Sequence, residues 1–233
     1  MKTFILLTAL FTLNVSAQAF DQTHAGFDAL LKKHVSNGLV DYVGLKKDAV
    51  ALDGYVQSLA AVSKGEFKAW TRDERLSFLI NLYNAVTLKI ILSHHPLKSI
   101  KNINGGSGPW KDALVPLFGK TTTLDALENE VIRPEFKEPR IHFALVCAAI
   151  GCPPLRKGAF TATALETQLS EQAKTFLSQV EKNRRDGSTF YLSPIFDWYG
   201  KDFPGGPAKW VAPWLGNGSS IKFTEYDWSL NQS

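Results

Sequence analysis

Both cysteines of the chain, Cys147 and Cys152, lie within the sixteen residues Arg140–Leu155, together with His142. A thiol attacks as its thiolate, and a nearby imidazole or helix N-terminus lowers the thiol pKa enough to form it. The segment therefore offers Cys147 as a nucleophile and His142 as the base that takes and returns its proton. Glu128, in Leu127-Glu-Asn-Glu-Val-Ile-Arg133, is either a solvated glutamate or neighbour of Arg133, the reading the residues alone favour, or a third member that would hold the imidazole by a carboxylate–histidine hydrogen bond. Geometry sets a condition. If Ile141–Val146 is a strand, five extended residues span roughly 16 Å, and an odd separation sends His142 and Cys147 to opposite faces. A direct dyad then requires a bend near Val146. Two other readings stay open: Cys147 as a buried core thiol, and a small disulfide to Cys152 across four intervening residues. So short a loop would stabilise the chain little, and the C-x4-C spacing weakens a thioredoxin-like reading. Cys152, just before Pro153-Pro154, reads as a turn residue.

Other polar groups fall on apolar surfaces. Asn81 and Asn84 sit within the longest apolar helix, where a buried amide must find partners. Each would either tie a loop to that helix or serve the thiol site as an orienting amide or oxyanion donor. Trp110, Trp198 and Tyr199, with Phe203, Trp210, Trp214 and Trp228, are dense enough to line a groove for a glycan or peptide, or else to fill a core. His94 and His95 are adjacent rather than spaced as ligands, and no H-E-x-x-H occurs, so no metal is expected. The Gly105-Gly106-Ser107-Gly108 loop follows no clear strand and opens no helix. No cofactor is expected.

The elements that must position these groups can be read from periodicity. Residues 24–37 form an amphipathic helix with Phe27, Leu30, Leu31 and Val35 on one face, ended by Asn37-Gly38. A second helix fits Ala49–Ala61. The longest runs from Trp70 to Ser93 behind the capping box Thr71-Arg-Asp-Glu74, and its wide apolar surface marks it as buried and central. Pro96 stops it. Leu114–Phe118 and Lys120–Thr123 suggest two strands around Gly119. Thr123 caps a helix that Pro134 ends. Ile141–Val146 is the best strand candidate, Thr163–Val180 an amphipathic helix, Asn183–Gly187 a turn, Phe190–Leu192 a strand, 204–218 a loop, and Ile221–Phe223 an edge strand. No internal repeat or linker divides the chain.

Lys2, the apolar run Phe4–Val15 and Ala17-Gln-Ala19 have the form of a secretory signal cleaved after Ala19, which implies a periplasmic or secreted protein. Residues 20–233 then make one α+β domain. The run is too short and polar-spotted to span a bilayer, and no later segment approaches twenty apolar residues, so stable membrane insertion is not expected. The 26 basic residues against 22 acidic are dispersed, with only short pairs such as Lys32-Lys33 and Arg184-Arg185. Nucleic-acid binding wants a clustered patch and is excluded as a partner class.

From about Leu39 onward the sequence resembles the domain-of-unknown-function family numbered 547 in its exported bacterial form. The resemblance rests on Phe78-Leu-Ile-Asn-Leu-Tyr-Asn-Ala-Val-Thr-Leu88, Pro96–Ile100, Leu124–Glu128 with Ile132-Arg133, Arg140–Cys147, Gly151–Leu155, Trp198-Tyr199 with Asp202-Phe203, and Tyr226–Asn231. It implies helices packed on a small, mostly antiparallel sheet, similar to papain-like or transglutaminase-like thiol enzymes in permuted order. It also implies a Glu, His and Cys set at Glu128, His142 and Cys147. The leading expectation is an exported thiol hydrolase or acyl/amide transferase acting on a peptide, cell-envelope or ester substrate. Its rivals are a non-catalytic binding module with a structural polar cluster, and a thiol–disulfide protein using Cys147 and Cys152.

Overall fold

The computed structural model describes residues 19–233, so the signal segment expected over 1–19 lies almost wholly outside the described residues. The chain begins with α1 (Ala25–His34), then β1 (Val35–Ser36) and β2 (Leu39–Val40), which pair antiparallel. Asn37 and Gly38 both have positive φ and form the turn between them, so this dipeptide closes a hairpin as well as ending a helix. Next come α2 (Tyr42–Lys47), α3 (Ala49–Ala60), α4 (Lys64–Ala69) and α5 (Arg72–His94). The Thr71 hydroxyl accepts the Glu74 N–H at 3.3 Å, and the Glu74 carboxylate accepts the Thr71 N–H at 2.7 Å, completing the expected capping box. From Leu76 to Leu88 every residue of α5 is buried. By length and composition α5 is apolar enough to cross a membrane, closer to a span than the sequence reading allowed, but protein covers most of it. Burying a leucine or isoleucine side chain contributes roughly 1.5–3 kcal/mol, which makes α5 the axis of the main core.

β3 (Val115–Leu117) and β4 (Lys120–Thr122) form the second hairpin. α6 (Leu124–Ala126), capped by the Thr123 hydroxyl at 2.9 Å from the Ala126 N–H, runs through a π turn over Leu127–Ile132 into α7 (Arg133–Phe136). The Arg133 N–H donates to the Glu128 carbonyl five residues back, and the widened turn carries the helix past Pro134 instead of ending there. After α8 (Leu165–Leu177) come β5 (Arg184–Asp186), β6 (Thr189–Leu192), α9 (Ile195–Trp198), α10 (Pro207–Leu215) and β7 (Ser220–Phe223). β6 is central, antiparallel to β5 and parallel to β7. The result is an α+β fold in which, among the described residues, the strands form three separate small sheets, not one sheet under the helices.

Three further expectations need correction. Ile141–Val146 is not a strand: Pro139–Phe143 is a 3₁₀ turn, capped by the Glu138 side chain accepting the Arg140 N–H at 3.1 Å. Every residue from Ile141 to Val146 is buried, and an unbroken apolar run carries no strand period. The parity argument separating His142 from Cys147 therefore does not apply. Residues 204–218 are not all loop, because α10 occupies Pro207–Leu215 with Pro207 in its first turn and Gly216 after it. The supposed turn over Asn183–Gly187 contains β5.

Candidate functional site

The segment that carries the cysteines has little regular structure, and four buried amides hold it between α5 and α8. Asn84 donates to the Ala144 carbonyl at 2.9 Å and accepts the Val146 N–H at 3.0 Å. Asn81 does the same for both backbone groups of Phe160, at 2.7 and 3.0 Å. From α8, Gln172 donates to the carbonyls of Phe143 and Pro154, and Gln168 donates to Ala159 and accepts from Thr161. Each clamp satisfies backbone groups that would otherwise be buried unpaired, at a cost of about 1–3 kcal/mol apiece. Asn81 and Asn84 thus act as ties to the helix, and neither lines the cleft described next.

The chain curls just after Cys147, where Ala148 has a φ of 57°, a left-handed conformation uncommon outside glycine. Beyond it, residues 227–231 are laid across the curl. The Ile150 N–H donates to the Ser229 carbonyl, the Gly151 N–H to Asp227, and the Asn231 N–H to Ala148. A Cβ on Gly151 would come within 2.9 Å of the Asp227 backbone, so the close approach depends on glycine there.

Where the main core meets a second apolar cluster built on Phe143, α8, β6, Phe196 and Phe203, a cleft of about 280 Å³ opens. Its walls include Tyr83, Glu128, His142, Cys147 and Cys152, with Trp110, Trp198, Tyr199, Tyr226 and Trp228 around them. Of the residues picked out from sequence, the fold brings together Glu128, His142, Cys147, Trp110, Trp198 and Tyr199. Cys147 and Cys152 are joined by a disulfide with their Cα atoms 6.3 Å apart, a pairing the sequence left open. The Tyr226 hydroxyl lies 3.1 Å from each sulfur. Lys182 donates to the Cys152 carbonyl at 2.8 Å and anchors the far end of the loop.

His142 Nε2 is 2.8 Å from Asp202 Oδ2. Asp202 is gripped in turn by Arg133, whose Nε and Nη2 reach its two oxygens at 2.6 and 2.9 Å. That guanidinium holds the Asp202 carboxyl below the usual carboxylate range, with the His142 hydrogen bond helping and burial opposing. An ionised Asp202 accepts only, so Nε2 of a neutral His142 carries the proton and Nδ1 presents a bare lone pair. Burial lowers the His142 pKa to about 4 against the pull of Asp202, which keeps the ring neutral. Nδ1 has no hydrogen-bond partner among the described residues, and the nearest carboxylate oxygen, Glu128 Oε1, is 3.8 Å away. Tyr199 stacks on the ring with centroids 4.0 Å apart and fixes its plane. Burial raises the Glu128 pKa; the Tyr199 hydroxyl, the Arg133 charge and the Tyr83 hydroxyl oppose the rise in that order.

The hydrogen-bonded partner of the imidazole is therefore Asp202, not Glu128. Asp202, Arg133, Tyr83 and Tyr226 were not picked out as site residues from sequence. Asp202 and Arg133 stand in the motifs quoted above, but a bond across 60 positions leaves no local spacing signal. Among the described residues no group of three or more His, Cys, Asp and Glu side chains is arranged to hold a metal ion.

Residues 67–177 match the model of the family described as "Protein of unknown function, DUF547". The matched span holds α5, Glu128, Arg133, His142 and both cysteines, while Trp198, Tyr199, Asp202, Tyr226 and Trp228 lie beyond it. No curated protein and no solved structure matches the chain.

Proposed function

We propose that the cleft, once the Cys147–Cys152 bond is reduced, is a thiol-dependent hydrolase or acyl/amide transferase site. The observation that carries this reading is His142: neutral, tethered through Nε2 to an ionised Asp202, with an unpartnered Nδ1 in the cleft that also exposes Cys147. A dithiol, or two equivalents of an external thiol, reduces the disulfide through a mixed disulfide, ending as a disulfide itself and leaving two protein thiols. Cys147 then attacks an acyl carbon while His142 Nδ1 takes the thiol proton. The same proton is returned to the departing amine or alkoxide, and water or a second acceptor releases the acyl group. Asp202 fixes the tautomer, as the third residue of a triad does. A papain-like or transglutaminase-like architecture in permuted order goes with this reading, supported only by the shared residue types. Export to the periplasm or medium, and a peptide, cell-envelope or ester substrate, belong to the same proposal.

Iodoacetamide kinetics on the reduced protein test it. Cys147 should alkylate at neutral pH about tenfold or more faster than Cys152, and His142→Ala should remove that advantage. Equal rates at the two cysteines, or no effect of His142→Ala, would overturn it. The disulfide itself favours a second reading, a non-catalytic binding cleft stapled at its floor. Under that reading a panel of esters and peptides gives no turnover by the reduced protein, yet some members bind the oxidised one. Rapid exchange of the disulfide with a dithiol at a mildly oxidising potential would instead favour thiol–disulfide chemistry.

A further inference from the structure

We infer that the cleft binds a primary ammonium group, held between Glu128 and His142. This takes from the reading above only the cleft as the site, and does not depend on its thiol chemistry. The His142 side chain is 1% exposed, and its Nδ1 has no partner. With the Nε2 proton committed to Asp202, Nδ1 can only accept. The nearest polar atom of opposite function should therefore be a donor, yet the group facing it is the Glu128 carboxyl, whose ionised form only accepts, with Oε1 at 3.8 Å. Two acceptors at this separation can share one donor about 2.8–2.9 Å from each. A group with several N–H bonds and a positive charge suits both at once.

Charge points the same way. Glu128 and Asp125 are the carboxylates on the cleft wall, and neither lysine nor arginine lines it. The closest guanidinium, Arg133, is spent on Asp202 and Asn129. A buried carboxylate without its own ion-paired cation is costly, and an arriving ammonium would supply one. The surrounding rings add to this, because the faces of tryptophan and tyrosine attract cations. The rim ring Trp228 already shows the preference: the Lys101 ammonium sits 5.0 Å from its centroid. A butanol-like hydroxyl brings one O–H for the two acceptors and no charge, and a quaternary ammonium the charge without the hydrogen bonds. A primary ammonium does both.

Calorimetric titration of the oxidised, disulfide-intact protein with n-butylamine at neutral pH tests the inference, with 1-butanol, butyrate and tetramethylammonium in parallel. Butylammonium should bind about tenfold or more tighter than any of the three, and Glu128→Gln, which keeps the shape, should abolish the difference. Thermal unfolding of that variant checks that it folds, and His142→Phe offers an independent removal of the second acceptor. Equal binding of butanol, or butylamine affinity unchanged in folded Glu128→Gln, would overturn the inference. Since no free thiol takes part, a negative result here leaves the alkylation experiment untouched, and the reverse holds as well.

Discussion

His142 meets two carboxylates, one at each nitrogen, and only the Asp202 side is close enough for a hydrogen bond. Replacing Asp202 with Asn keeps the shape but removes the charge that sets the tautomer. We expect reduced Asp202→Asn to lose most of the alkylation advantage of Cys147 while Glu128→Gln keeps it; rate measurements on the two variants separate the roles. Buried histidines also set an acid limit. His24, whose Nδ1 lies 2.7 Å from the Tyr55 hydroxyl, is like His142 pushed by burial from 6.5 to about 4. Between those values the unfolded chain binds more protons than the folded one, so stability is complete above 6.5 and drains away as pH falls toward 4. Each ring contributes roughly 3 kcal/mol across that window. Asp202, whose folded pKa is lowered, adds a loss of the same sign at lower pH. The unfolding midpoint should drop steeply between about pH 6.5 and 4.5, and a His24→Gln/His142→Gln protein should show a flatter profile. An equally steep profile in the double variant would assign the acid limit to other groups.

At the scale of the elements, the amide clamps matter most. Asn84→Ala leaves the Ala144 carbonyl and Val146 N–H buried without their partner, and should cost roughly 2–4 kcal/mol in urea unfolding. Thr71→Ala removes only a helix cap and should cost about 1 kcal/mol. Legibility followed locality. The capping box, the Thr123 cap and the β3–β4 hairpin are signals carried within a few residues, and the structure has each of them. The run Ile141–Val146 misleads because it is covered on all sides, so hydrophobicity alone cannot distinguish a strand from a packed 3₁₀ turn. Glu138 and Pro139 were the available hint, an acidic cap followed by a proline at a helix start. α10 was obscured by its glycines and prolines, although Val211 and Leu215 already stand four apart on one face. As for the site, the residues themselves were visible, but which carboxylate meets which nitrogen was not.

Across the whole molecule, the cleft is assembled from distant stretches: Tyr83 on α5, Glu128 on the π turn, the cysteine loop, Trp198 and Tyr199 at α9, and Tyr226 and Trp228 near the C-terminal end. The last stretch is bound in several places. Leu230 donates to the Lys98 carbonyl, Ser233 to Val40, and the Tyr42 hydroxyl to Asn231. Removing residues 225–233 should therefore lower the unfolding midpoint by several degrees and expose the cysteine loop to protease, as limited proteolysis would report. A truncated chain as stable and resistant as the full one would mean that the strap only rests on the fold.

The strap also sets an order of events during synthesis. The tyrosine that comes to rest between the two sulfurs is made more than seventy residues after the cysteines. Until Tyr226 arrives, both sulfurs lack the hydroxyl that lies 3.1 Å from each. A nascent chain therefore passes through an interval in which its sulfurs lack that contact, and the interval ends when the last stretch of the polypeptide settles over them.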